Sequence, residues 1–292
     1  FFYFGQSYLI AHVGQSVVLD IRNALFAKFQ RLPVAYFDRH QTGEVMSYLT
    51  NDVASVQSAL ADRVIDVVTE GAILIGSLII VIMGAIDDIM NLPPLVKLAV
   101  QIVAACVAIY YGIVIHVVTN PSLLSANAMF NTGKLAIPLT ILWIVGITNS
   151  VNLIDGLDGL AVGVSTISCI TMLAVALRVS EPNVALILAA LAGGCIGFMP
   201  YNLNPAKIFM GDTGSLLLGY VLSTVSVLGL FKFYAVVTFV VPVLALALPM
   251  ADTIFAFFRR IIHGQSPFKA DRGHFHHKLM DLGLNQKQAV AI

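Results

Sequence analysis

The stretch NSVNLIDGLDGL, residues 149–160, decides the class of this chain, because it sets four polar side chains between two long apolar segments. Those segments are Leu135–Ile147, extended by its flanks, and Leu160–Val179. Carboxylates in or beside membrane spans cost roughly 2.5–3.5 kcal/mol each on insertion scales, so they are usually kept for function. The stretch therefore predicts a membrane protein with a polar site at the ends of its helices.

Composition agrees with a membrane class. The 292 residues are 58% hydrophobic and 11% charged, with a mean hydropathy of +0.89, whereas soluble domains carry about 25% charged residues. The net charge of zero gives no indication of a nucleic-acid partner. We expect an all-α polytopic transmembrane helix bundle in a lipid bilayer, with about seven to eight spans and with loops that form the site. The remaining apolar windows are Val67–Met83, Leu95–Val118, Val184–Met199, Leu216–Phe231 and Ala235–Phe258.

Two further acidic clusters follow or precede apolar windows: Asp87-Asp88, and Asp212 within Gly211–Ser215. Lys and Arg concentrate in loops on the cytoplasmic side of membrane proteins. The C-terminal loop is therefore predicted to be cytoplasmic, since it holds Arg259, Arg260, Lys269, Arg272 and Lys278. Counting spans backwards from that loop puts all three acidic clusters on the same face. This convergence predicts one active site there.

The spacing of Asn152, Asp155 and Asp158 by three residues stacks them along one face if they lie on a helix. Asn149 adds a fourth polar side chain, and Gly156 with Gly159 would let a ligand approach the backbone closely. The alternative is a helix cap, in which Asn and Asp satisfy free backbone amides. A cap needs one such residue, whereas this stretch has four, which favours a functional site.

Asp212 suits Mg²⁺, which takes few protein carboxylates and completes its shell with water and phosphate oxygens. Its alternative role is to cap a helix beginning at Ser215. The neighbouring carboxylates Asp87 and Asp88 suit either metal binding or a base with its orienting partner. Lys97 suits contact with a phosphate as a point charge. The alternative for Asp87, Asp88 and Lys97 is a solvated loop with a basic anchor.

The C-terminal loop carries a dense set of basic and histidine side chains, namely Arg272, His274, His276 and His277. Three histidines suggest zinc. Arg272 and Lys278 would repel a dication and attract phosphate, which favours pyrophosphate and sugar contacts. A solvated loop is the third interpretation.

From about Gly84 onward the chain resembles the polyprenyl-phosphate N-acetylhexosamine-1-phosphate transferase family. The motifs that carry the resemblance are Gly84–Asp88, Asn149–Leu160, Tyr201–Leu216 and Ser266–Leu279. The run Ser266–His274 looks like the GlcNAc branch of the family more than its pentapeptide branch. The resemblance implies transfer of GlcNAc-1-phosphate from UDP-GlcNAc to undecaprenyl phosphate with release of UMP. It implies initiation of cell-wall or surface polysaccharide, such as teichoic acid or O-antigen, at the cytoplasmic face of the bacterial cell membrane.

The resemblance also implies a role for each matching residue and Mg²⁺ as the cofactor, with Mn²⁺ as the alternative cation. Asp212 would be the principal metal ligand and Asn152 the second. Candidate assemblies include a homodimer. The implied catalytic residues are Asp87, Asp88, Asp155 and Asp158. Asp87 and Asp88 would activate or position the lipid phosphate, and Asp155 and Asp158 would shape the nucleotide and metal pocket. The implied substrate-binding set is Lys97, Asn149, Arg272, His274, His276 and His277.

Residues 1–82 resemble a different family, the transmembrane domain of type-1 ABC exporters, chiefly over Val17–Leu60. The printed sequence contains no GxxxxGK[ST] motif, so transport by this chain alone is not expected. We expect an exporter-like part at 1–82 and a transferase-like part at 84–292 that is truncated at both ends. The alternatives are a transporter fragment and an inactive fusion remnant. The exporter resemblance places Gln41–Arg63 in the cytoplasm, and the transferase resemblance places Asp87 there. A single span at Val64–Met83 separates these two segments, so the two resemblances conflict in topology.

Overall fold

The structure is a computed structural model that describes residues 2–33, 36, 46–47, 51–115, 117–119 and 129–230, and the single positions 246, 247, 251, 255 and 288. It divides into two compact units, Phe1–Gly71 and Ala72–Ile292. The predicted substrate-binding residues Arg272, His274, His276 and His277 lie outside the described residues, and so does nearly all of the predicted span Ala235–Phe258.

The first unit contains helix α1, Phe2–Phe29, and the beginning of helix α2, Val53–Met90. The chain leaves α1 through turns at residues 30–32, just before Pro33, which cannot continue a helix. Helix α2 is continuous across the division at Gly71. The predicted boundary near residues 82–84 therefore falls inside one helix, and the two-domain division stays a prediction.

The second unit is predominantly helical, as predicted. After the end of α2 it contains α3 at Pro94–Tyr110, α4 at Ala136–Ile154, α5 at Leu160–Arg178, α6 at Pro182–Asn202 and α7 at Gly211–Val225, with a π-helical turn at Ser226–Leu230. Helix α5 packs against α6, α4 against α7, and α3 against α4.

One predicted span differs from the structure. The window Leu95–Val118 is a shorter helix that ends at Tyr110, where Gly112 adopts a positive φ of 97°. The chain then forms strand β1, Val117–Thr119, which pairs antiparallel with β2, Met129–Asn131. A short 3-10 turn, Gly133–Leu135, leads into α4. Apolar content alone did not distinguish this strand from the helix before it.

Among the described residues, five helices are long and apolar enough to cross a membrane, and α3 is a shorter apolar helix. The five candidate spans are Asp66–Met90, Gly133–Ile154, Leu160–Arg178, Pro182–Asn202 and Gly211–Gly229. Large apolar side chains also face outward, as at Leu74, Leu142 and Leu186, which are 72%, 70% and 73% exposed. Exposed apolar side chains on successive helices suit a lipid environment, and the chain is a multi-pass membrane protein.

Small residues let α7 approach its neighbours closely. A Cβ on Gly219 would lie 2.6 Å from the Cα of Thr148 on α4, and a Cβ on Gly76 would overlap the ring of Tyr220. Tyr220 is fully buried, and its hydroxyl donates to the carbonyl of Ala104 on α3 at 3.2 Å. Close packing at small residues is the usual way in which membrane helices associate. It holds α7 against α2, α3 and α4.

Candidate functional site

Asp212, on α7, lies at the centre of a hydrogen-bonded cluster to which α2, α3 and α4 also contribute. The Nζ of Lys97, on α3, donates to its Oδ2 at 3.0 Å, and the Nδ2 of Asn152, on α4, donates to its Oδ1 at 2.9 Å. The same Asn152 nitrogen lies 2.9 Å from the Oγ of Ser215. Residues far apart in the sequence therefore meet at one end of the bundle, as the backward count of spans predicted.

Asp87 is 3% exposed and is held by two partners near the end of α2. Its Oδ1 accepts from the amide of Leu92 at 2.7 Å, which closes the turn between α2 and α3. Its Oδ2 contacts the ammonium of Lys97 directly. Lys97 thus lies between the carboxylates of Asp87 and Asp212, and it balances part of their negative charge.

Asp88 points to the first turn of α7. Its Oδ1 accepts from the amide of Asp212 at 2.8 Å, and its Oδ2 accepts from the amide and the hydroxyl of Thr213 at 3.1 and 2.6 Å. Helix α7 begins at Gly211, not at Ser215. The alternative interpretation of Asp212 as the cap of a helix starting at Ser215 is therefore wrong, and the capping carboxylate comes from Asp88.

Two glycines make this contact sterically feasible. A Cβ on Gly84 would lie 2.6 Å from the Cα of Thr213, and a Cβ on Gly211 would lie 2.7 Å from Oδ2 of Asp88. Gly211 also has a φ of 66°, a left-handed conformation that side chains disfavour. Gly84 and Gly211 therefore allow α2 to approach α7 closely.

The predicted helical stacking of Asn152, Asp155 and Asp158 is wrong in its geometry. Helix α4 ends at Ile154, and Gly159, with a φ of 84°, precedes α5, so only Asn152 is helical. The Oδ2 of Asp158 accepts from the Nδ2 of Asn204 and the amide of Ala206, both at 3.0 Å. Asp158 therefore holds the loop after α6.

Two polar residues that sequence reasoning did not select support the site. Asn202 is 3% exposed; its Oδ1 accepts from the amide of Gly159 at 3.1 Å and its Nδ2 donates to the carbonyl of Ile208 at 3.0 Å. Gln101, 2% exposed, exchanges side-chain hydrogen bonds with Asn149. In the sequence, the signal that could have identified Asn202 and Gln101 was a single amide side chain within an otherwise apolar helix. The substrate contact expected of Asn149 stays a prediction, because its amide faces α3.

An acidic cavity of about 250 Å³ lies beside this cluster. Burial and, to a smaller extent, the negative charges of Asp212 and Asp88 together raise the pKa of Asp155 to about 7. A cation would relieve this repulsion. The polar side chains that line the cavity are Asp88, Asn152, Asp155, Asp158, Asn202 and Asp212.

A larger apolar cavity of about 620 Å³ adjoins the acidic one. It runs along α6 from Ile187 to Phe198 and reaches the first turns of α7 at Leu217. Phe209 and Met210 line both cavities. The site therefore has an acidic compartment and an apolar compartment with a common wall.

The oxygen donors of the acidic cavity fit a hard divalent cation. Within the described ranges, no three His, Cys, Asp or Glu side chains are close enough together to hold a metal by themselves. Mg²⁺ does not need such a cage, since it commonly binds one or two carboxylates together with waters and phosphates. Asp212 is the most central carboxylate. Asn152 presents its amide nitrogen, not its oxygen, to Asp212, so its role as a second ligand stays a prediction.

Comparison with known proteins gives two family matches in this chain. The model described as "Glycosyl transferase family 4" matches residues 71–230, and the model described as "ABC transporter transmembrane region" matches residues 1–85. The two resemblances that the sequence motifs indicated are thereby confirmed. The matches overlap within α2, at residues 71–85.

This chain aligns with only part of the length of each individual relative. A protein of Bacillus subtilis (strain 168), described as a probable undecaprenyl-phosphate N-acetylglucosaminyl 1-phosphate transferase, is 40% identical over 240 residues, 82% of this chain and 66% of the relative. A decaprenyl-phosphate N-acetylglucosaminephosphotransferase of Mycobacterium leprae (strain TN) is 35% identical over 76% of this chain and 60% of the relative. A phospho-N-acetylmuramoyl-pentapeptide-transferase of Heliobacterium modesticaldum is 39% identical over 54% and 52%. The chain spans between about half and just under two thirds of these relatives.

Proposed function

This chain belongs to glycosyl transferase family 4, and from that premise we propose that it transfers GlcNAc-1-phosphate from UDP-GlcNAc to a polyprenyl phosphate, here undecaprenyl phosphate, and releases UMP. The names of the Bacillus and Mycobacterium relatives support a GlcNAc-phosphate donor and a polyprenyl phosphate acceptor. The proposed location is the cytoplasmic face of a bacterial cell membrane, and the product would initiate a surface or wall polysaccharide.

The reaction is a phosphoryl transfer. An oxygen of the lipid phosphate attacks the β-phosphorus of UDP-GlcNAc, and the bond from that phosphorus to the bridging oxygen breaks. UMP leaves with the bridging oxygen, and GlcNAc stays on the transferred phosphate. Two anions must meet, so positioning and charge neutralisation contribute most of the catalysis.

The observation that carries the proposal is the common wall between the acidic and apolar cavities at Phe209 and Met210. A polyprenyl phosphate has an apolar chain ending in a charged phosphate. It would place the chain against α6 and α7, and its phosphate would face Asp88, Asp155 and Asp212. A water-soluble acceptor would gain nothing from the apolar compartment.

The residues around Asp212 have distinct roles in this proposal. Mg²⁺, when bound at Asp212, would neutralise pyrophosphate charge and make the β-phosphorus more electrophilic. Asn152 orients the Asp212 carboxylate by donating to its Oδ1. Lys97 holds Asp87 and Asp212 together before substrate arrives, and its ammonium can then contact a phosphate oxygen.

UMP release tests the proposal. Membranes containing this chain are given UDP-GlcNAc, undecaprenyl phosphate and Mg²⁺, and UMP is quantified. The Asp212→Asn variant serves as the blank. Asp20→Asn, on α1 and outside the transferase motifs, is the matched control for the same chemical change. UMP from the parent and from Asp20→Asn, with none from Asp212→Asn, is expected. Equal release from all three would remove Asp212 from the reaction.

A further inference from the structure

We propose that Asp88 is a positioning residue, which acts by capping α7 and thereby fixes where the Asp212 carboxylate lies. This inference rests on the proposed function, in which Asp212 contacts the metal and the pyrophosphate. It differs from the expectation that Asp88 itself activates the lipid phosphate.

The hydrogen bonds of Asp88 are those of a helix cap that comes from another helix. The first backbone amides of a helix have no partner within it. At the start of α7 the local cap position is Met210, whose side chain makes no capping hydrogen bond. Asp88 supplies acceptors to the amides of Asp212 and Thr213 and to the Thr213 hydroxyl. Its negative charge also suits the positive end of the helix dipole.

These three bonds leave Asp88 little capacity for another role. An ionised carboxylate offers about four acceptor positions, and three are directed at α7. A proton taken from a lipid phosphate would compete with these bonds. Asp87, by contrast, lies against Lys97, so the two adjacent aspartates have different partners.

The cap determines the placement of Asp212 because it binds that residue's own amide. The amide nitrogen of Asp212 lies 2.8 Å from Oδ1 of Asp88. The carboxylate of the same residue accepts from Nζ of Lys97 at 3.0 Å and from Nδ2 of Asn152 at 2.9 Å. Gly84 and Gly211 keep α2 close enough for this contact. Loosening the cap would let the first turn fray and would spread the positions of the carboxylate.

Thr213 offers a test that leaves the acidic cavity unchanged, because Thr213 does not line it. Thr213→Val keeps the side-chain shape and removes the hydroxyl that donates to Asp88. Thr213→Ser keeps the hydroxyl and is the matched control. Hydrogen–deuterium exchange of residues 210–216 is measured on the full chain without metal. We expect exchange about fivefold faster in Thr213→Val, because the cap loses one of its three hydrogen bonds, and parent-like exchange in Thr213→Ser.

The kinetic readout separates positioning from contact with substrate. We expect Thr213→Val to raise the half-saturating Mg²⁺ concentration about fivefold, while kcat at saturating Mg²⁺ stays within about twofold. Asp88→Asn, which keeps one capping oxygen, should show the same pattern more strongly. Parent-like exchange in Thr213→Val would overturn the inference, and so would loss of turnover in Asp88→Asn at every Mg²⁺ concentration.

Failure of the proposed function would be visible separately. If the parent chain releases no UMP, the transfer proposal fails whatever the exchange data show. If the parent releases UMP and Thr213→Val exchanges at the parent rate, only the positioning role of Asp88 fails.

Discussion

The ammonium of Lys97 lies 3.0 Å from Oδ2 of Asp212, and this contact joins the start of α3 to the start of α7. The same nitrogen contacts Asp87. Lys97 is 28% exposed and Asp87 3% exposed, so loss of the cation would leave a buried carboxylate beside a second one. Charge balance at this point is therefore a requirement of the fold as well as of the site.

Lys97→Met should lower the free energy of unfolding of the metal-free protein by about 2 kcal/mol, because it leaves Asp87 buried without its cation. The measurement is a denaturant titration in detergent micelles. The control is the double variant Lys97→Met with Asp87→Asn, which removes the unpaired charge and should recover most of the loss. If the effects of the single variants Lys97→Met and Asp87→Asn simply add in the double variant, the two residues are not coupled.

Asp155 should make the metal-free protein less stable as pH rises. Its pKa in the folded chain is raised from 3.8 to about 7, so folding favours the protonated form. That contribution is fully present below about pH 4 and is lost as pH rises through about 7. The unfolding temperature, followed from about pH 5 to about pH 8, should fall in the parent.

The matched variant for this effect is Asp155→Asn, which cannot ionise. We expect it to remove most of the fall, corresponding to about 1–2 kcal/mol after screening by solvent. An unchanged slope in Asp155→Asn would contradict the assignment of the pH effect to this carboxyl.

Gly194 tests whether the apolar cavity holds the prenyl chain. It lines that cavity, and a Cβ built on it meets no atom within 4 Å. Gly194→Leu should therefore fold and fill part of the cavity. We expect the KM for undecaprenyl phosphate to rise about tenfold, with the KM for UDP-GlcNAc unchanged.

The neighbouring Gly193 provides the control. Its Cβ also meets no atom within 4 Å, and it is not among the cavity-lining residues. Gly193→Leu should keep parent-like KM values for both substrates. Equal KM values for the lipid in the two variants would place the prenyl chain elsewhere.

Sequence reasoning predicted the helical class and the meeting of Asp87, Lys97, Asn152 and Asp212 at one end of the bundle. These followed from alternating apolar segments with polar residues at their ends. The length of α3 was not predicted, since Ile113, Ile115 and the residues of β1 are as apolar as those of the helix before them.

The partners of the individual carboxylates could not be read from local patterns. Asp88 caps a helix that begins more than a hundred residues later, and Asp158 binds the loop after α6. Spacing by three suggested a helical face, but Gly159 in a left-handed conformation separates α4 from α5. Such contacts depend on tertiary packing, which overrides local periodicity.

The most direct test of the account follows the β-phosphorus of the donor. UDP-GlcNAc labelled with radioactive phosphorus in its β-phosphate is incubated with undecaprenyl phosphate, Mg²⁺ and membranes containing this chain. Transfer of sugar phosphate predicts that the label enters the lipid phase together with GlcNAc and that the UMP released is unlabelled. The Asp212→Asn variant should show neither labelled lipid nor UMP release. Label that stays in water as UDP while the sugar enters the lipid would contradict the account.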